Sequence, residues 1–419
     1  MKVAHIGPPL ARQGGPAGYL YQLQRAAAEA GVNGRVIFPP PAARAPAAKT
    51  PIAQRVRAKL GVMKRALLGA APPHRPSQAA LGAENGHVEQ VMREARRSIV
   101  QDAAASLAWA RVGSPDVLFC HDAPTAAHLL EVRKPGQQVW LMVHNPMPLA
   151  LYLVWNWGVP ERDWREVAIY PDVRRWTTWE LDLWGAVDRL VLPCHDALDE
   201  VGRIDPAALA VRTPTSFVLS GASADESSRT PDRAALRRAW KLPLDTPVGL
   251  YLGNHQAYRG LDALMAAVPL VSNDVPGIVA VAGPPRHHVT KHPRLRALGH
   301  ISAVADLLSA VDFVINVNRF SLFDLSTIEA LEAGKPLLMH DVGGNRTFKA
   351  LGAGAEMVRD LEPATIAAGL SRMFAAGPDR LDALAAESRG CYLAHLTRTH
   401  LWSRHAAMVS AASAPLVTR

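Results

Sequence analysis

The sequence predicts two α/β domains, each built on a parallel sheet. Three observations carry this. Val311-Asp312-Phe313-Val314-Ile315 reads as a buried strand, followed by a polar loop and a helix beginning near Asp324-Leu325-Ser326. Gly334-Lys335-Pro336 stops that helix and Leu337-Leu338-Met339 starts another apolar strand, which completes one βαβ unit. The same alternation runs through residues 1–205 and restarts after the small, polar, turn-forming stretch Ser220–Pro231, the expected linker. Finally, 419 residues, 49% of them hydrophobic, are long for one domain and sufficient for two cores.

Taken in order, Val3-Ala4-His5-Ile6-Gly7 is a short strand, and Gly14-Gly15-Pro16-Ala17-Gly18 opens a helix from about Tyr19 to Ala30. Met1 leads straight into that strand, so folded structure is expected here and not a signal peptide. Arg35-Val36-Ile37-Phe38 is the second strand. The spacing Gly-x-Gly-x-x-Gly is absent after the first strand and no acidic residue closes the second, which argues against nicotinamide binding.

Residues 39–83 form a basic insertion. The net charge of +9 is concentrated in it: no acidic residue occurs from Ala30 to Ala83, while nine Lys and Arg residues do. Within 52–68, Ile52, Val56, Leu60, Met63 and Leu67 recur on one helical face and Arg55, Arg57, Lys59, Lys64 and Arg65 fill the remainder. Two readings stand: a helix lying on an anionic membrane surface, or an ordinary amphipathic helix with a solvated basic face. Aromatic residues do not interleave with these charges, so nucleic acid is not the expected partner.

A helix from about Gly86 to Arg111 leads to strand Val117–Cys120, a loop at His121-Asp122, and a helix near Thr125–Val132. Strand Val139–Val143 ends in His144-Asn145-Pro146. Six of the ten tryptophans fall between 155 and 184. Trp176, Trp179 and Trp184 follow helical spacing and are expected in the core. Trp155 and Trp157 are the candidates for stacking on a saccharide ring, whose C–H faces are apolar. Asp188–Pro193 is read as the last strand of this half. Cys120, Cys194 and Cys391 form no CxxC pair, which suggests a reducing cytoplasm and no structural zinc. No apolar run reaches the roughly 20 residues of a membrane-spanning helix.

In the second half, a helix over Asp232–Trp240 precedes strand Val248–Leu252, the loop Gly253–Gly260 and a helix Leu261–Val268. Gly277–Ala282 is the next strand, then Gly283-Pro284-Pro285 and the segment Leu298-Gly299-His300-Ile301. His287, His288 and His292 fit no usual zinc spacing. Beyond the βαβ unit, helices are expected to about Leu401.

Ser321 to Gly334 followed by Val342-Gly343-Gly344-Asn345 resembles the donor site of the retaining GT-B glycosyltransferases of family 4. The resemblance implies two Rossmann-like domains facing across a cleft: 1–205 on the acceptor side, 206–395 for the nucleotide sugar, and a helix over 396–419 that crosses back. It implies that Glu329 holds the nucleotide ribose and that the helix start at Phe323-Asp324-Leu325 faces the phosphates. Ser321 stands where the family has a first glutamate. In the loop after Val248–Leu252, Asn254 replaces an arginine and Arg259 a lysine that clamp the diphosphate, with Gly253 and Gly260 flanking them. Gly283 and His300 fall in loops expected near the donor. His144, and as second choice His121, matches a strand-end histidine near the sugar and acceptor. Gly14-Gly15 matches a cleft-lining loop.

By this resemblance the chain is a retaining, metal-independent, cofactor-free glycosyltransferase. Its partners would be a nucleotide-diphosphate sugar and a saccharide or lipid-linked acceptor of cell-envelope glycan synthesis. The expected location is the cytoplasm, at the inner face of the cell membrane if 52–68 binds it. Two alternatives remain: a sugar-nucleotide-binding protein without transfer activity, since Ser321 and Asn254 depart from the pattern, and a nucleotide-sugar epimerase on the same fold.

Overall fold

The structure, a computed structural model, describes residues 1–11, 15–32, 36–39, 78–160, 162–223, 232–283 and 289–413, with backbone alone at 78–86 and 413. Gly14, the segment 52–68 with most of the basic insertion, residues 224–231 of the expected linker, and His287-His288 lie outside the described residues. Among the described residues twelve strands form two six-stranded sheets, and every pairing is parallel. The chain divides into two units, Met1–Leu219 with Leu401–Arg419, and Ser220–His400.

In the first unit the strands are β1 (Val3–Ile6), β2 (Val36–Ile37), β3 (Val117–Cys120), β4 (Gln138–Met142), β5 (Arg189–Leu192) and β6 (Thr215–Phe217). Their order is β2-β1-β3-β4-β5-β6. Residues of β1 and β3 are buried throughout, because helices cover both faces of a parallel sheet and apolar side chains are needed on each. The core gathers Val3, Leu20, Leu23, Phe119, Trp140, Met142 and Val191, with Leu401 and Met408 from the helix Arg398–Ser413. Strand β6 corrects the reading that β5 ends this sheet: it pairs with β5 from Leu190↔Thr215 onward, so residues 206–219 serve the first sheet and not the second domain. Two of its three residues are hydroxylic, which is why no apolar run marks it.

The second unit holds β7 (Val248–Leu252), β8 (Ile278–Ala282), β9 (Leu295–Gly299), β10 (Phe313–Asn316), β11 (Leu337–His340) and β12 (Ala355–Val358). The order β12-β11-β10-β7-β8-β9 reverses direction between β7 and β10. Such a switch point leaves a crevice at the carboxyl ends of the two strands, the usual ligand position in an open α/β sheet. Strands β9 and β12 were not anticipated, and the run of helices expected after the βαβ unit is interrupted by β12. Leu264, Val279, Phe313, Ile315, Leu338, Leu370 and Phe374 fill the core.

One buried cation ties the entry of the two central strands together. Arg237, on the helix Arg233–Ala239, donates to Ala310 O at 2.8 Å and to Pro243 O, Leu244 O and Thr246 O at 3.0, 2.7 and 3.2 Å. Its Nη2 lies 2.6 Å from the Asp312 carboxylate, which also accepts from the backbone N–H of Val248 at 2.7 Å. Because Asp312 precedes β10 and Val248 begins β7, this cluster fixes the register on which the crevice depends. Replacing the cation strands several buried acceptors at once. Arg237→Met is expected to destabilise the second unit by about 3 kcal/mol in denaturant unfolding.

Candidate functional site

The site of the second unit begins where β7 gives way to the loop Gly253–Gly260. Gly253 N donates to Ala282 O at 3.0 Å and Gly283 N to Gly299 O at 2.8 Å, which draws the ends of β7, β8 and β9 together backbone to backbone. Gly283 has φ +147, and a Cβ there would lie 1.8 Å from Gly253 O, so only glycine allows the approach. The loop ends in a 3-10 turn, Ala257–Arg259, whose last side chain lies over the Tyr258 ring at 5.0 Å. Arg259 Nη1 is 3.3 Å from the Asp324 carboxylate.

Across the switch point, Asp324 is the N-cap of the helix Leu325–Glu332, yet its side chain makes no capping hydrogen bond. It accepts instead from Asn318 Nδ2 at 2.5 Å and pairs with Arg259. Tyr251, Leu252, Arg259, Val314, Ile315, Asn316, Asn318, Ser326 and Thr327 line a pocket at this point. A guanidinium and the first turn of a helix therefore converge on one small cavity, an arrangement suited to an anion. Glu329, one turn further along, is half-buried and is not among the residues lining that pocket. Burial, with the neighbouring Glu332, pushes its carboxyl up to about 7.

Behind the pocket lies a polar network that sequence reading missed. Asn316 Nδ2 reaches Thr327 Oγ1 at 3.0 Å and Asn345 Oδ1 at 3.3 Å. Asn345, fully buried, donates to His340 O at 3.0 Å and accepts from Ser321 Oγ at 3.1 Å. His340 Nδ1 contacts Asn318 O at 2.7 Å. A signal was available: Asn316 and Asn318 stand two apart just where an apolar strand runs out, so both point to one face.

Several expected donor contacts need correcting. Ser321 is 1% exposed and its hydroxyl is spent on Asn345, so it presents nothing to a ligand. The Phe323 side chain is buried and stacks on Phe348 at 3.9 Å, so its place in the helix start is one of backbone alone. His300 is exposed just beyond β9, the edge strand two places from β7. Asn254, Gly260 and Leu325 stand in the loop and helix start as expected. The Oδ1 of Asn254 is buried without a hydrogen-bond partner among the described residues.

In the first unit, His121 and His144 follow β3 and β4. His144 is half-buried, but His121 is 1% exposed and uses both ring nitrogens, contacting His5 Nε2-to-Nδ1 at 2.9 Å and His144 Nδ1-to-Nε2 at 2.8 Å. It has no nitrogen left for an acceptor. Trp155 is 2% exposed within the helix Leu149–Trp157 and donates to Arg162 O at 3.0 Å, so it packs the core and offers no stacking face. Trp157 is half-buried at the end of that helix, and Gly15 is the exposed first residue of the helix Gly15–Glu29. Trp176 and Trp184 are buried, and Trp179 packs against Trp176 at 5.3 Å. Among the described residues no group of three His, Cys, Asp or Glu could hold a metal ion, and no helix is long and apolar enough to cross a membrane.

Residues 246–376 match the family described as glycosyl transferases group 1. The D-inositol 3-phosphate glycosyltransferase of Streptomyces avermitilis is 27% identical over 237 residues, which cover 51% of this chain and 50% of that one. The enzyme of the same name from Thermobispora bispora is 30% identical over 179 residues, 38% of this chain and 42% of that protein. The chain thus spans about half the length of the curated relatives it matches. Among solved structures, sucrose-phosphate synthase from Thermosynechococcus elongatus superposes with a TM-score of 0.64 at 16% identity, covering 99% of this chain and 100% of that one. WaaG, a glycosyltransferase involved in lipopolysaccharide biosynthesis, gives 0.58 at 13% identity over 97% and 99% of the two chains. Anabaena HepE in complex with UDP-glucose gives 0.60 at 13% over 98% and 100%. At these identities the likeness is one of fold, the GT-B α/β fold of two parallel sheets.

The polar network makes a stability claim of its own. Asn345→Ala leaves the part-buried His340 carbonyl and the buried Ser321 hydroxyl without this partner and removes one of the acceptors of Asn316 Nδ2, which keeps Thr327 Oγ1. It is expected to cost about 3 kcal/mol in chemical unfolding, against about 1 kcal/mol for Ser321→Ala, where one hydroxyl is lost.

Proposed function

We propose that this chain, whose residues 246–376 match the glycosyl transferases group 1 family and whose fold is GT-B, moves a sugar from a nucleoside-diphosphate donor to a saccharide or lipid-linked acceptor, with retention at the anomeric carbon. The observation that carries this reading is the convergence of Arg259 and the N-terminus of Leu325–Glu332 on the switch-point pocket. Departure of the diphosphate leaves negative charge on the phosphate oxygens as the sugar takes on oxocarbenium character. A guanidinium fork and a helix start already aimed at one point stabilise that charge without reorganisation. Charge compensation of this kind needs no metal ion. Asp324 holds Arg259 in place from one side, with Nη1 3.3 Å from its carboxylate.

Glu329 is the proposed partner of the ribose hydroxyls, and its freedom from ion pairs among the described residues supports that role. The glycine-built junction of Gly253, Gly283 and Gly299 supports close approach of a flat base to backbone. His144 is proposed to meet the donor sugar or the acceptor hydroxyl. The basic segment 52–68 supports an envelope-glycan setting at an anionic membrane surface. A second reading, a sugar-nucleotide-binding protein that does not turn over, is favoured by the burial of Ser321, which removes a polar contact from the transferred sugar.

Arg259→Ala is expected to lower kcat about 100-fold with a UDP-, GDP- or ADP-sugar, the usual size for one lost oxyanion contact. Glu329→Ala is expected to lose most transfer; full activity in either variant contradicts the assignment. Because the Glu329 carboxyl titrates near 7, its ionised form, the better acceptor for two hydroxyls, is populated above that pH. Nucleoside-diphosphate affinity should therefore rise between about pH 6 and pH 8, and the rise should vanish in Glu329→Gln. Thermal shift against UDP, GDP and ADP across that range reads both effects.

A further inference from the structure

The first sheet also reverses direction, between β1 and β3, and three histidines stand in line at its carboxyl edge. His5 lies on β1, His121 directly follows β3, and His144 comes two residues after β4. Each contact along the line joins an Nδ1 to the next ring's Nε2: His5 Nδ1 to His121 Nε2 at 2.9 Å, then His121 Nδ1 to His144 Nε2 at 2.8 Å. The rings are held by packing. His5 stacks on Phe38 at 5.2 Å, His121 on Phe119 at 5.3 Å, and Tyr19 meets His144 edge-on at 5.2 Å. At the inner end, His5 Nε2 is buried without a hydrogen-bond partner among the described residues, and His405 lies against the ring at 5.2 Å.

We infer that His5 and His121 are positioning residues: they couple the three rings into a single tautomeric chain and so decide whether His144 offers a proton or a lone pair to a hydroxyl-bearing ligand. The reasoning is proton counting. A neutral imidazole carries one N–H, and each contact in the line needs one hydrogen between its two nitrogens. With the rings joined head to tail, both contacts are satisfied only when all three carry the proton on Nδ1 or all three carry it on Nε2. Any mixture leaves two lone pairs, or two N–H groups, facing each other. In the first order His144 presents an Nδ1–H donor; in the second it presents a bare Nδ1, an acceptor or base. Burial favours the neutral form throughout, holding His5 and His121 well below the usual imidazole range and His144 down to about 3. With the inner end closed, no proton reaches His5 Nε2, so transfer along the line does not exchange one order for the other.

This inference rests on the proposed function only for the ligand being a sugar hydroxyl, so its test contains no sugar. Full-length protein with 15N-labelled histidine is examined by two-bond 1H–15N correlation at pH 7 without donor or acceptor. Signals are assigned from their loss in His144→Ala and His5→Phe. The expected result is one protonated and one bare nitrogen per ring, with the same nitrogen bare in all three. In His121→Phe, which keeps the stack on Phe119 and removes both contacts, the His144 nitrogens should shift to averaged positions. Mixed tautomers in the native chain, or a His144 spectrum unchanged by His121→Phe, overturn the inference. If that variant does not fold, the native spectrum decides alone. A failed transfer assay beside uniform tautomers would contradict the proposed function and leave the chain of rings standing.

Discussion

Arg259 can reach the exit of β10 only because Gly260 has no side chain. The loop crosses the backbone after β10 so closely that a Cβ at Gly260 would stand 2.0 Å from Val317 O, and its φ of +68 is itself a glycine conformation. This crossing places the guanidinium beside Asp324 and the opening turn of Leu325–Glu332. On the other side of the same junction, Gly344 passes so near Leu322 that a Cβ would meet its carbonyl oxygen at 1.6 Å. The pocket is therefore framed by backbone contacts, and its charged side chains are delivered by segments with little room to move.

The buried network behind the pocket explains how a polar site survives in an apolar unit. Asn316, Asn318, Ser321, Thr327, His340 and Asn345 satisfy one another and nearby carbonyls, so the desolvation of each is offset by a partner. The first unit uses a different solution at its own switch point, where aromatic packing encloses a line of neutral imidazoles. Buried carboxyls occur near that line as well: burial pushes Asp122 up to about 6 and Glu180 up to about 7, while each accepts a backbone N–H at a helix start, from Thr125 and Leu149.

Much of the fold was legible because strands buried on both faces read as apolar runs, as in β1, β3, β7, β8 and β10. The strands that escaped, β6, β9 and β12, all lie at sheet edges, where one side meets solvent or loops and the apolar signal thins out. In the site, the family resemblance pointed to Arg259 and to the helix start at Asp324 but could not reveal that they pair, since that depends on the crossing at Gly260. Ser321 entered the donor contacts from its place in a motif, and only the packing of Asn345 behind it turns its hydroxyl inward. Trp155 illustrates the general difficulty: composition cannot say which side of an apolar helix is the core.

The central claim is that a nucleoside diphosphate sits between the loop after β7 and the start of the helix at Leu325. Hydrogen–deuterium exchange of the full chain with and without saturating UDP or GDP measures it most directly. The account predicts slowed exchange confined to segments 253–261 and 324–329. Unchanged exchange in both segments under a nucleotide that demonstrably binds, or protection found only elsewhere, would contradict it.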